Sequence, residues 1–219
     1  MELERMEDFF AARVDMYDEH MLCEVEGCRE GYQRLAALLG ADVETLLDLG
    51  CGTGLELDAI FARLPNVRVT GVDLTKAMLD RLLQKHPDKR LELICKSYLD
   101  VDFGAARFDA AVSFQTLHHL TRAEKAGLYL SVFAALKPGA IYAECDYMVL
   151  EQAEEDFYRA ENRRLRAKRQ IPEGAFYHYD TPCTVDAQIE LLQGAGFAPV
   201  RLVWREENTT LLCAQKPER

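Results

Sequence analysis

The sequence predicts an α/β fold: a doubly wound, mostly parallel seven-stranded sheet closed by an antiparallel C-terminal hairpin. Three observations predict it. An apolar run, Leu46-Leu47-Asp48-Leu49, feeds three alternate glycines, Gly50, Gly52 and Gly54, and then a helical pattern of Leu55, Leu57, Ile60, Phe61 and Leu64. Strand and helix patterns alternate from there, which demands crossover connections and a parallel sheet covered on both faces. Two last strand patterns, Pro199–Arg205 and Thr209–Gln215, lie close enough to pair through Glu206-Glu207-Asn208.

Taken in order, Leu3, Met6, Phe9, Phe10, Val14 and Tyr17 recur at helical spacing among acids, predicting an amphipathic helix from Glu2 to about Cys23. Tyr32 to Leu39 has the same period. The first strand is Thr45–Leu49, followed by a helix to Leu64 and a second strand, Val67–Val72. A helix from Thr75 to Lys85 leads to the third strand, Leu91–Cys95. Phe108–Phe114 is the fourth, a helix spans about Thr121–Leu136, and Ala140–Cys145 is the fifth. The least regular stretch is Met148 to Gly196. It begins with a helical pattern, Glu151 to Gln170, broken by Ile171-Pro172-Glu173-Gly174; Thr184 then caps a helix through Leu192 that stops at Gly194 and Gly196.

A chain of 219 residues, 49% hydrophobic, fits one domain with a full core. Its net charge of −11 repels phosphate backbones, so nucleic acid is not expected as a partner. The basic stretch Arg159, Arg163, Arg164, Arg166, Lys168 and Arg169 is interleaved with Glu154, Glu155, Asp156 and Glu161 and lacks stacking aromatics, which reads as a solvated helix face. No apolar run approaches the ~20 residues that cross a membrane, and the acidic N-terminus is unlike a signal peptide. A cytoplasmic protein is expected. The seven cysteines form no C-x-x-C pair, so they read as reduced thiols. Cys23 and Cys28 lack nearby partner ligands, and no metal site is expected.

Glycine tolerates positive φ, and its missing Cβ lets a ligand lie against the backbone. The following helix amides then favour a negative group. The second strand delivers Asp73 about twenty residues later, where an acid accepts bonds from ribose hydroxyls. Together these imply a nucleoside-bearing cofactor, although tight strand-to-helix turns also use glycine without any ligand.

These residues resemble a family, the class I S-adenosylmethionine-dependent methyltransferases of the small-molecule type. LDLGCGTG matches the family's first motif, GVDLT the acidic end of its second strand, and FDAAVSFQTLHHL and LKPGA its fourth strand and the turn before its fifth. The matches run from about Leu46 to Cys145. The resemblance implies methyl transfer from S-adenosyl-L-methionine to a small-molecule acceptor. It also implies residues 1–40 as a helical lid, 41–147 as the cofactor-binding core, 148–196 as an insertion after the fifth strand on the acceptor side, and 197–219 as the closing hairpin. A noncatalytic cofactor- or partner-binding protein, or an enzyme of the same fold with another nucleotide such as NAD, are the alternatives.

On that resemblance Gly50, Gly52 and Gly54 let the methionine part pass the backbone, and Asp48 receives its amino group, directly or through water. Asp73 takes the ribose hydroxyls, unless it only caps a helix, and Leu74 lies against the adenine. Where the family commonly has Asp after the third strand this chain has Ser97, followed by Tyr98; either can meet the adenine amino group. The backbone of Gln115 meets the methionine moiety. Phe9 to Met21 resembles the lids that close such sites, with Tyr17 over the cofactor and Arg13 near its carboxylate.

His118 and His119 follow the fourth strand, with His119 the one more expected to face the pocket. Their ordinary pKa suits a proton acceptor or a substrate hydrogen bond, and they can equally be packing and capping groups. Alternation places Glu144 and Asp146 on one face at the end of the fifth strand, with Tyr147 next, where they bind or deprotonate an amine acceptor or are simply solvated strand-end charges. Tyr177, His178 and Tyr179 can line the acceptor pocket or pack. Methyl transfer depends on orientation and desolvation and needs a base only when the acceptor must lose a proton.

Overall fold

The computed structural model describes residues 3–172 and 174–218. Its strands are β1 (Thr45–Leu49), β2 (Arg68–Asp73), β3 (Arg90–Cys95), β4 (Phe108–Phe114), β5 (Leu136–Tyr147), β6 (Val200–Glu206) and β7 (Thr209–Gln215). They form one sheet in the order β3-β2-β1-β4-β5-β7-β6. The first five are parallel, and β7 runs antiparallel between β5 and β6. The helices are α1 (Met6–Ala11), α2 (Val14–Cys23), α3 (Cys28–Leu38), α4 (Leu55–Arg63), α5 (Lys76–Lys85), α6 (Arg122–Ala135), α7 (Gln152–Lys168) and α8 (Val185–Gly194). None of the described helices is long and apolar enough to cross a membrane.

Period-two alternation divides the core. Leu46, Val69, Ala110, Val112, Ala143 and Cys145 point to one face, under α3, α4 and α5. Leu47, Leu49, Val72, Ala111 and Tyr142 point to the other, under α6 and α8. Asp48 therefore belongs to the α4 face, whereas Glu144 and Asp146 belong to the α6 face. Chain direction reverses its winding between β1 and β4, so the crevice beyond their carboxyl ends is where a ligand binds in such a sheet.

Several boundaries differ from the sequence reading. The expected N-terminal helix is two helices, because Arg13 leaves helical geometry at φ −114°, ψ 3° between α1 and α2; Glu2 lies outside the described residues. The next helix starts earlier than expected, at Cys28, behind the left-handed Gly27. The fifth strand is longer than Ala140–Cys145. Phe108 already pairs with Leu136, and the pairing then skips to Ala110 with Ile141. The intervening Lys137-Pro138-Gly139-Ala140 forms a bulge, where proline offers no N–H and Gly139 takes φ +80°.

The stretch after β5 is tied down rather than loose. Glu155, only 1% exposed, accepts from Arg122 of α6 at 2.7 Å, pairs with Arg159 at 2.8 Å and receives the Thr184 amide at 2.7 Å. Arg164 pairs with Glu161, and Arg166 donates to the Pro172 and Ala175 carbonyls at 3.0 and 2.9 Å. Much of the basic run is thus engaged within the chain. Glu173, part of the expected break, lies outside the described residues.

Candidate active site at the carboxyl edge of the sheet

The turn after β1 holds three glycines at positive φ, for different reasons. A Cβ on Gly50 would collide with Thr116 Oγ1, and one on Gly54 with Leu82 Cδ1. Their bareness serves packing and the backbone geometry of the turn. Gly52, at φ +47°, is the one with room above it: the nearest atoms to a Cβ there are Gly50 O and a Tyr17 ring carbon, both at 3.9 Å. The space bounded by Gly52 and Tyr17 forms a cradle in which a ligand has room.

Asp73, at the end of β2, closes one side of that cradle. Its Oδ2 accepts the Gly52 amide at 3.0 Å and its Oδ1 the Thr75 amide at 2.7 Å. It therefore steadies the entry to α5 and the glycine turn together. Burial pushes its pKa up to about 6 against these two amides.

Asp48 is 0% exposed, and neither of its oxygens meets a hydrogen-bond donor among the described residues. Glu56 of α4 is its buried neighbour, and burial raises both carboxyls, Asp48 to about 7. The Asp48 charge adds to burial in raising Glu56, and the Lys85 charge works against it.

Over the turn lies α2. Its half-buried Tyr17 sets a ring carbon over Gly52, and Asp18 accepts from Thr53 and pairs with Lys85 at 3.1 Å. Arg81 of α5 pairs with Asp15. Arg13 is directed elsewhere: its guanidinium holds Glu4 at 2.9 Å, bonds the Phe9 carbonyl at 2.8 Å and covers the Phe9 ring.

On the other side of the crevice, a tight turn after β4 presents two histidines. His118 Nδ1 is 2.6 Å from Asp146 Oδ1. Burial alone would lower the pKa of His118, and the Asp146 charge and hydrogen bond outweigh it, so the pKa is raised. His119 is held well below its ordinary value by burial and by the charge of His118. Asp180 arrives from the segment before α8, its Oδ1 3.5 Å from His118 Nε2, 3.4 Å from His119 Nδ1 and 4.0 Å from His178 Nε2. Phe9 stacks on His178 at 3.6 Å, and Phe10 sets its edge toward His119 and His178. The Glu4 carbonyl accepts the His178 amide at 2.9 Å. The N-terminal segment and the stretch around residue 178 thus meet over the histidine pair.

A cavity of about 470 Å³ opens at the opposite, amino edge of the sheet, lined by Thr45, Arg68, Arg90, Glu92 and Arg107 among others. It shares no residue with the glycine turn, Asp73 or the histidines. The glycine turn, Asp73 and the histidines lie at the other end of the strands.

Residues 46–139 match a family model described as a methyltransferase domain. That segment, less than half of the chain, is similar to methyltransferase domains, and the seven-stranded sheet that contains it has the Rossmann-like methyltransferase fold. A 24-methylenesterol C-methyltransferase of Oryza sativa subsp. japonica is 32% identical over 142 residues, which are 63% of this chain and 37% of that protein. A carboxy-S-adenosyl-L-methionine synthase of Chromohalobacter salexigens is 29% identical over 211 residues, 85% of this chain and 76% of that one. The chain therefore spans little more than a third of the sterol enzyme's length. Its fold superposes on a solved chain named DhpI, in complex with SAH, with TM-score 0.72 and 17% identity over 97% of this chain and 95% of that one.

The methyltransferase cofactor, S-adenosylmethionine, fits the residues present. The cradle over Gly52 has room, and the donorless Asp48 is an acceptor available to an amino group. Not every expected contact faces the cradle. Ser97 Oγ accepts the Leu99 amide at 3.2 Å, capping a short turn, and buried Tyr98 donates to the Thr116 carbonyl at 3.2 Å. Leu74 is half-buried beyond Asp73. Gln115 sits at φ +47°, which a non-glycine residue adopts at a cost, and its side chain turns away to donate to Thr209 Oγ1 at 3.0 Å. Only its backbone remains at the crevice.

Glu144 departs furthest from the expected role on the acceptor side. It is 0% exposed and accepts from Tyr129 at 2.9 Å and from Gln188, which in turn accepts from Lys125 at 3.0 Å. It lies two residues inside Asp146, within the α6 face of the core. Phe9, Phe10 and Asp180 were missed by the sequence reading. Their signal is absent locally, because they reach the histidines only through contacts across the whole chain.

Proposed function

We propose that this protein transfers a methyl group from S-adenosylmethionine to a small-molecule acceptor, bound where Phe9, Phe10, His119 and His178 meet. The reading rests chiefly on the Gly52–Asp73 bond beneath the Tyr17 ring, which puts a ribose-binding acid and an open glycine in one covered cradle. S-adenosylmethionine supplies an electrophilic methyl on a sulfonium sulfur. The chain's own residues do the rest.

Asp73 keeps lone pairs for ribose hydroxyls while its backbone bonds hold it in place. Gly52 leaves room for the chain of the methionine part, and Asp48 accepts its amino group, directly or through water. Tyr17 covers the cradle. With Asp15 and Asp18 paired to α5 and the glycine turn, α1 and α2 act as a lid that excludes water, and orientation in a closed site supplies much of such a rate. Arg13 is assigned no part in holding the cofactor, because Glu4 occupies it. His118, His119 and Asp180 face the acceptor side, and the stretch 148–196 covers it.

The test is calorimetric titration with S-adenosylmethionine and S-adenosylhomocysteine, with NAD as control, followed by incubation with an acceptor panel. Mass spectrometry then reads both the acceptor and the cofactor fractions. Binding of the first two ligands and a methylated acceptor support the reading. A carboxylated cofactor with no methylated acceptor would assign the chain to the other chemistry among its relatives, and absence of binding by a folded protein would end the proposal.

A further inference from the structure

We infer that His118, His119 and Asp180 form a binding site for a divalent transition-metal ion of the zinc class on the acceptor side of the crevice. Their ligand atoms lie within 4.8 Å of one another. Ligand atoms about 2.0–2.1 Å from a tetrahedral ion stand about 3.3 to 3.4 Å apart. The two measured edges to Asp180 Oδ1, 3.5 Å from His118 Nε2 and 3.4 Å from His119 Nδ1, are already at that spacing. The remaining edge, between the two histidines, is no longer than 4.8 Å and is the one that must close on an ion.

Two further features point to an ion rather than to a hydrogen-bonded cluster. Asp180 Oδ1 is sealed from solvent, yet it meets no hydrogen-bond donor of acceptable geometry among the described residues. It faces nitrogens instead, at distances too long for hydrogen bonds and suitable for shared coordination. Meanwhile Asp146 takes the Nδ1 side of His118 at 2.6 Å and so leaves Nε2 as the coordinating atom. A carboxylate behind a ligating histidine fixes its ring and tautomer and makes it a better ligand. Asp146 is itself only 1% exposed, so this support is rigid.

His119 Nδ1 also lies 3.4 Å from the Tyr179 carbonyl, a long contact that ion binding exchanges for a coordination bond. Two imidazoles and one carboxylate suit zinc, cobalt, nickel or iron(II) and not magnesium or calcium, which want an all-oxygen shell. Three protein ligands leave a fourth position open, as in sites that bind a reactant. On the methyl-transfer reading, that position takes an oxygen or nitrogen of the acceptor and lowers the pKa of its attached proton. This last step rests on the methyl-transfer reading; the ion site does not.

The experiment uses the full chain, stripped of metal by a chelator and titrated with Co²⁺, read by ligand-field absorption, and with Zn²⁺, read by calorimetry. One ion per chain is expected. His119→Ala and Asp180→Asn should abolish saturable binding, and Asp146→Asn should weaken it roughly 10- to 100-fold. All three variants should keep their affinity for S-adenosylhomocysteine, which shows that they are folded and separates this proposal from the methyl-transfer reading. Absence of binding to the wild-type chain, or binding that persists unchanged in His119→Ala and Asp180→Asn, overturns the site while leaving the cofactor reading intact.

Discussion

The backbone amide of Gly52 donates to Asp73 Oδ2 at 3.0 Å, joining two residues that stand 21 apart in the chain. Because Asp73 also takes the Thr75 amide, the glycine turn and the start of α5 share one carboxylate. Removing it loses a ligand contact and the clamp that shapes the cradle.

Asp73→Ala should therefore weaken S-adenosylhomocysteine binding by about 1.5–3 kcal/mol, the range for hydrogen bonds to a charged group. In calorimetry this is roughly a 10- to 150-fold rise in Kd. Asp73→Asn, which keeps one acceptor oxygen, should fall between. Equal affinities in all three proteins would make Asp73 a structural cap alone.

The same carboxyl sets a pH dependence. Asp73 titrates at about 6 in the free protein, and ribose hydroxyls donate to its ionised form. Below pH 6 a proton must leave before the ligand binds, so affinity should fall as pH drops, by at most about tenfold per unit. It should level off only above about pH 8, once Asp48, raised to about 7, is ionised as well. Asp73→Asn should lose this step, leaving a shallower rise near pH 7 from Asp48, whose ionised form attracts the amino group.

What the sequence disclosed follows the range of the interactions. The strand, glycine turn and helix around residues 46–64 are local, and Asp73 sits one crossover away, so both were legible. So was the hairpin of β6 and β7, whose turn is three residues long. Ser97 was expected at the adenine but caps its own short turn, a choice made by local backbone geometry that composition does not reveal. Arg13 was expected at a carboxylate and found one, Glu4, nine residues back. The meeting of His119 with Tyr179 and Asp180 spans about 60 residues, and no local period encodes it.

Glu144 tests whether a strand-end acid acts on substrate or on the core. Its partners Tyr129, Gln188 and Lys125 are all buried, and burial raises its pKa to about 7. Glu144→Leu would leave Tyr129 and Gln188 without their shared buried acceptor, a loss that costs about 1–3 kcal/mol. Chemical denaturation should show that fall in stability. Glu144→Gln, which keeps the hydrogen bonds, should recover most of it, and both variants should bind S-adenosylhomocysteine as the wild type does. A kcat loss in Glu144→Gln without loss of stability would restore the catalytic role.

The Asp48–Glu56 pair should appear in the pH dependence of stability. The folded-state pKa of Asp48 is raised to about 7, above its ordinary 3.8, mainly by burial. Between those values the folded protein holds a proton that the unfolded chain has released. Stability contributed by that proton is complete below about pH 4 and is lost as pH rises toward 7, by at most about 1.4 kcal/mol per unit for each such group. Asp73 and Glu144 are raised as well and act with the same sign. Wild-type denaturation midpoints should therefore decline from pH 5 to pH 8. Asp48→Asn, neutral throughout, should decline less steeply and be the more stable protein at pH 8, with weaker binding of S-adenosylhomocysteine. If its slope matched the wild type's, Asp48 would be ionised in the folded chain at pH 5, and its buried oxygens would need a donor that this structure does not supply.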